Sequence, residues 1–99
     1  MSSATEALPS SPAGPALVKI RRYLVDAALA MKEAAPELAR ILLCGVDYAL
    51  DDACALLGTR PFLHQLRLHV NQALAALERG NHALASRELA SAREVLARL

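Results

Sequence analysis

The sequence predicts an all-α protein: a compact bundle of about four antiparallel helices, arranged as two αα-hairpins, behind a disordered N-terminal tail. Three observations predict it. The 99 residues include 21 Ala and 19 Leu, which head the helix-propensity scale, whereas the residues that strands favour (Val, Ile, Thr, Tyr, Phe, Trp) total 12. Apolar residues recur at three- and four-residue spacing through four segments instead of alternating. Short Pro- or Gly-bearing turns separate those segments, and short connections between long helices make sequential neighbours antiparallel. The length suits a single domain, and 55% hydrophobic residues supply enough material for a core.

The first stretch, residues 1–15, carries Pro9, Pro12, Pro15, Gly14 and four serines and reads as a disordered tail before a helical domain at 16–99. The first helix is expected over 16–34, with Pro15 at its start and Leu17, Ile20, Leu24, Ala27, Ala28 and Met31 as its core stripe. Pro36 forces Ala35 out of the α region, which ends that helix and opens the second over 37–57. Its core stripe is Leu42, Val46, Leu50, Ala53 and Leu57. Gly58 stops it, and Thr59 is placed to cap a third helix over 60–79, whose stripe is Phe62, Leu63, Leu66, Val70, Ala73 and Leu77. Gly80 and Asn81 separate it from a fourth helix over 82–98.

Several function classes are disfavoured. A net charge of +1 gives no overall field for nucleic acid or an anionic membrane. A DNA-binding regulator needs a basic recognition helix, and the third segment has only Arg60, Arg67 and Arg79, scattered. No run of 18 apolar residues exists to span a bilayer, and the N-terminus lacks the basic and hydrophobic regions of a secretory signal. Two cysteines without an export signal suggest the cytoplasm and free thiols.

The stretch Cys44-Gly-Val-Asp-Tyr-Ala-Leu-Asp-Asp-Ala-Cys54 is the one that resembles chemistry. At about 100° per residue, Cys44, Asp47, Asp51 and Cys54 share one helical stripe opposite the core, facing solvent or at most the basic first helix. Ten residues of helix separate the two Cα atoms by about 15 Å, too far for a disulfide. A helix offers zinc a pair of ligands where a structural site needs four, and neighbouring carboxylates raise a thiol's pKa. No metal, cofactor or catalytic set is therefore expected. His64 and His69 are five apart, unlike an H-E-x-x-H pair; His69 flanks the core stripe and His82 lies in a helix first turn.

Charge is uneven along the chain. Lys19, Arg21, Arg22 and Lys32 make the first helix basic, and Glu37, Asp47, Asp51 and Asp52 make the second acidic, so the two are expected to complement each other. The first helix also has a second apolar row, Val18, Val25 and Leu29, and the third presents Leu68 with Ala75 on its polar back. Such a row either lies between two other helices or meets another chain. The candidate binding residues are thus Val18, Arg21, Arg22, Val25, Leu29 and Leu68, an apolar strip with a basic rim suited to an amphipathic acidic partner helix or a second copy of the chain.

In the last segment Gly80 at the turn, with Ala85, Leu89 and Ala92 following, resembles a tetratricopeptide-type helical hairpin over residues 69–96. The chain departs from that family at His69, Gln72, Ala73 and Ala76, and a step of 34 residues back reaches Asp51, Ala55 and Gly58 without a second copy. Any tight αα-hairpin has the same small-large-small pattern. The resemblance implies binding of a helix or peptide in a groove; small helical chaperones of bacterial type III secretion are similar in size and in Ala/Leu content. The expected function is a non-enzymatic protein–protein interaction module: an adaptor, small chaperone or regulatory subunit. A small helical enzyme or enzyme subunit with a spatially assembled site is the alternative, and a DNA-binding regulator the third reading.

Overall fold

In a computed structural model, which describes residues 14–99, helices α1 (Gly14–Lys32), α2 (Pro36–Leu57), α3 (Pro61–Glu78) and α4 (His82–Ala97) account for nearly all of the described residues. The expected N-terminal tail lies outside the described residues apart from Gly14 and Pro15, and these two are helical. Proline lacks an amide hydrogen, but the first amides of a helix have no intrahelical partner, so the turn continues one residue upstream of Pro15. α1 packs on α2 and α4, and α3 packs on the same two, so the four helices form a closed ring with α1 and α3 at opposite corners. Within each hairpin the helices pack closely; the seams between hairpins, α2 with α3 and α4 with α1, are looser.

Close approach follows from composition. Among the described residues ten of the 21 buried apolar residues are alanine, which lets helix axes come near while Ile20, Leu24, Leu43, Leu50, Leu63, Leu66 and Leu89 fill the space between them. The expected stripes of α1 and α3 lie on the core side except for Ala28, which is half-buried outside the core cluster on the α4 side of α1, with Leu17, Met31, Phe62 and Leu77 packed at the core's margin. In α2 the buried set is Ala39, Leu43, Val46, Ala49, Leu50 and Ala53, with Leu42 and Leu57 at the margin. Gly45 sits mid-helix in α2, where glycine costs about 1 kcal/mol relative to alanine. A Cβ there would lie 2.8 Å from Cε2 of Tyr23, so the missing side chain is what lets the Tyr23 ring pack this closely on α2.

Both hairpins turn the same way. Ala35 N–H donates to Ala30 O (2.8 Å) and Ala34 N–H to Met31 O (3.2 Å); at the second turn Asn81 donates to Ala76 O (2.8 Å) and Gly80 to Leu77 O (3.1 Å). This is the Schellman pattern, whose C′ residue must be left-handed. Gly80 meets that demand at φ 74°, but Ala34 adopts φ 57° with a side chain. Ala34→Gly is therefore expected to raise stability by about 0.5–1 kcal/mol, after subtracting the extra freedom glycine gives the unfolded chain. A chemical-denaturation midpoint that falls would contradict this account of the turn.

At the start of α3 the expected Thr59 cap is not formed. Pro61 takes the first helical position and makes Arg60 the N-cap residue, leaving Thr59 one place too early; Arg60 Nε instead donates to Leu57 O at 3.1 Å. Asn81 does cap α4, its side chain accepting from Leu84 N–H at 3.2 Å.

The two hairpins are also related in register, at a step of 46 residues and not 34. Buried Ile20, Leu24, Ala27 and Ala30 correspond to buried Leu66, Val70, Ala73 and Ala76. Buried Ala39, Leu43, Val46, Ala49 and Leu50 correspond to buried Ala85, Leu89, Ala92, Val95 and Leu96. The turn residues Ala34 and Gly80 correspond as well. Exchanging the hairpins maps the ring of helix contacts onto itself, so the α2/α3 and α4/α1 seams are equivalent places in the fold.

Candidate helix-docking groove

Each seam carries its own polar chemistry. Asp47 and Asp51 stand one turn apart on α2, and Arg67 reaches across from α3, its Nη1 donating to Asp47 Oδ1 at 2.8 Å and its Nη2 to Asp51 Oδ1 at 2.7 Å. Partial burial pulls the Arg67 guanidinium down, but the hydrogen bond to Asp51 and the charges of both aspartates outweigh it and hold Arg67 above its ordinary range. Arg67 is thus a permanent cation clamped between two carboxylates. The acidic stripe accordingly faces α3 on one flank. Among the described residues no ion pair joins α1 to α2, and the expected complementarity of the two is limited to Lys19 and Asp52 bordering one hollow between them. A single-helix projection places the stripe opposite the core but does not tell which neighbour borders it.

Cys44 is exposed and Cys54 partly buried, and both are free thiols. Among the described residues no three of the His, Cys, Asp and Glu side chains converge on a point where a metal ion would sit. His69, expected at the core boundary, bridges α3 to α4: its Nδ1 lies 2.7 Å from Oε1 of Glu88. With its amide oriented to donate, Gln72 reaches both Glu88 oxygens at 2.9 and 3.0 Å, so Glu88 is held by two groups of α3. Among the described residues no helix is long and apolar enough to cross a membrane.

The α4/α1 seam is different: it is open. A hollow of about 430 Å³ there is bordered by Arg21, Leu24, Val25, Ala90, Arg93 and Ala97, with Glu94 and Leu96. A second of similar size, about 430 Å³, continues from Val25 and Arg93 to Ala28, Leu29, Met31, Lys32 and Ser86. A third, of about 170 Å³, extends the other way from Arg21 and Leu96 to Leu17, Val18 and Leu99. Shared lining residues join the three into one trench along α1. From Val18 to Leu29 it runs eleven residues, or about 16 Å of helix.

The trench is apolar along its length and cationic at intervals. Val18, Val25 and Leu29 are 54%, 44% and 51% exposed, so the second apolar row of α1 is not internal core. The facing side of α4 offers small residues, Ser86, Ala90 and Ala97. Arg21, Lys32 and Arg93 border the trench, and none of them joins any of the four ion pairs among the described residues. Glu94, the one carboxylate at the edge, is taken by Arg98 at 3.3 Å. Of the six expected binding residues, Val18, Arg21, Val25 and Leu29 are thus brought together. Arg22 is exposed without lining the trench, and Leu68, 49% exposed on α3, lies at the opposite corner of the ring.

Sequence reading passed over two groups. Ala90, Arg93 and Ala97 on α4 complete the trench, which becomes visible only once α4 is known to border α1. A further exposed row, Leu38, Ile41 and Tyr48 with Leu56, follows the outer side of α2 at three-, seven- and eight-residue steps. That spacing is present in the sequence but merges there with the neighbouring core stripe. No protein-family model, curated protein or solved structure matches the chain.

Proposed function

We propose that the protein is a non-enzymatic protein–protein interaction module, an adaptor, small chaperone or regulatory subunit, that receives an acidic amphipathic helix in the α1/α4 trench. The observation that carries this reading is the pairing of a continuous apolar trench with three cations that have no carboxylate partner among the described residues. Unpaired surface arginines are ordinary; cations spaced along a helix-length apolar channel suit a ligand with an apolar face and acidic flanks. Burying Val18, Val25 and Leu29 contributes several kcal/mol at about 25 cal/mol per Å², before the costs of association. The tetratricopeptide-type resemblance of residues 69–96 carries the same implication of helix or peptide binding.

The chain's other polar groups support a binding role over catalysis, because Arg67, His69 and Glu88 are committed to bridging helices. The outer α2 row favours a second occupant of the surface, a second copy of the chain, and sedimentation velocity across a concentration series separates the two readings.

The test uses designed helical peptides with one leucine face and either glutamate or lysine flanks. The acidic peptide is expected to bind, and the basic one to bind at least about tenfold more weakly. Val25→Asp is expected to abolish binding while leaving the far-UV circular dichroism spectrum unchanged, since Val25 is half exposed. Equal affinity for both peptides, or undiminished binding by Val25→Asp, would remove the trench as the docking site. Unfolding by Val25→Asp would make that row part of the core.

A further inference from the structure

The internal register tells what the trench lacks. Advancing Asp47 and Asp51 by 46 residues gives Arg93 and Ala97, and Arg67 stepped back by the same amount is Arg21. Those three residues all border one hollow of the trench, so the correspondence in number is also one in space. At the α2/α3 seam the arginine is gripped by two carboxylates one helical turn apart. At the equivalent α4/α1 seam a second cation and a methyl group stand in those two places, and Glu94, the carboxylate at the edge of the hollow, is paired with Arg98.

The surroundings diverge in the same sense. Val18, Val25 and Leu29 on α1 correspond to His64, Asn71 and Ala75 on α3, so the seam without the carboxylate pair also exposes larger apolar groups. Most buried positions stay apolar in the two hairpins, whereas the exposed positions differ widely, those on the rim of the trench among them.

Resting on the docking reading above, we infer that the partner helix supplies the missing pair: two carboxylates four residues apart that bind Arg21 as Asp47 and Asp51 bind Arg67. Each terminal nitrogen of Arg21 donates to one carboxylate, and Arg93 adds positive potential beside them. Apolar residues one turn to either side of the acidic pair descend onto Val18 on one flank and Val25 on the other. The occupant is a different chain, not a second copy. In the described residues the acidic side chains four apart are Glu33 with Glu37, split by the turn at Ala34, and Asp47 with Asp51, already held by Arg67.

The experiment compares designed helical peptides that share a leucine face and net charge but place two glutamates at i, i+4 or at i, i+2, read by fluorescence anisotropy. The i, i+4 peptide is expected to bind about tenfold or more tightly. Arg21→Gln is expected to erase that preference, and Arg67→Gln to leave it intact. A graft supplies the second arm: Arg93→Asp with Ala97→Asp installs on α4 the pair found on α2. This variant is expected to close the seam on Arg21, raise the melting temperature and lose the peptide. Equal binding of the two spacings, or a graft that still binds, overturns the inference and leaves the trench as a less specific acidic-helix site. Failure of every acidic peptide to bind overturns the docking reading itself. Dimerisation of the wild type that Val25→Asp abolishes would instead make a second copy the occupant.

Discussion

Replacing Leu66 with alanine is expected to lower the free energy of unfolding by about 2–5 kcal/mol, the usual loss when a fully buried leucine leaves a cavity. Leu66 is 0% exposed in the main core cluster. Its neighbours are helices that already approach through alanine, so they have little room to collapse into the space. A small domain has about 5–15 kcal/mol of stability in all, and the variant should therefore melt far below the wild type. Leu68, two residues along the same helix, is the internal control. It is about half exposed, and Leu68→Ala should change stability by no more than about 0.5 kcal/mol. Denaturant unfolding followed by circular dichroism measures both. Similar losses at the two positions would mean that α3 does not present Leu66 inward and Leu68 outward.

The second large effect comes from adding volume. Ala92 is 1% exposed on α4, and leucine there has no space to enter. Overpacking of this kind costs about 1–3 kcal/mol, and more where the neighbouring backbone cannot move. Ala90, two residues earlier, lines the trench and is exposed. Ala90→Leu is expected to be nearly neutral in stability while filling the channel and blocking an incoming helix. The pair separates the two duties of α4: Ala92→Leu should unfold the protein earlier, whereas Ala90→Leu should fold normally and bind poorly. Thermal melts alongside anisotropy titrations with the acidic peptide decide it. Loss of stability in both variants would mean that the trench is closed in solution.

The order and ends of the helices were readable because each rests on local chemistry. Pro36, Gly58, Pro61, Gly80 and Asn81 act within a turn of their own position, and a stripe such as Leu63, Leu66, Val70 and Ala73 declares itself by spacing alone. Which helix borders which stripe is not local. Asp47 and Asp51 find Arg67 because α2 and α3 fold back about residues 58–60, so that Asp51 and Arg67 lie equally far from the turn. The same mirror relation about Ala34 sets Tyr23 over Gly45, and about Arg79 it brings His69 near Glu88. Folding neighbouring helices back about the connections between them, to within a residue, brings all three pairs together.

The trench was half readable for a related reason. Val18, Val25 and Leu29 form a row on one helix, which periodicity detects. Ala90, Arg93 and Ala97 have no hydrophobic signature of their own, and they matter only because the ring closes α4 onto α1. The 46-residue correspondence was hidden because it is kept mainly as burial and apolar character. Ile20 matches Leu66 and Val46 matches Ala92, and such exchanges preserve the core without preserving identity.

The most direct measurement of the docking site is a nuclear magnetic resonance titration of the labelled protein with the acidic leucine-faced peptide. The account predicts that amide shifts concentrate at Val18, Arg21, Val25 and Leu29 on α1 and at Ala90, Arg93 and Ala97 on α4, with α3 little changed. Shifts centred instead on Leu38, Ile41 and Tyr48 of α2, or on Leu68 of α3, would contradict it.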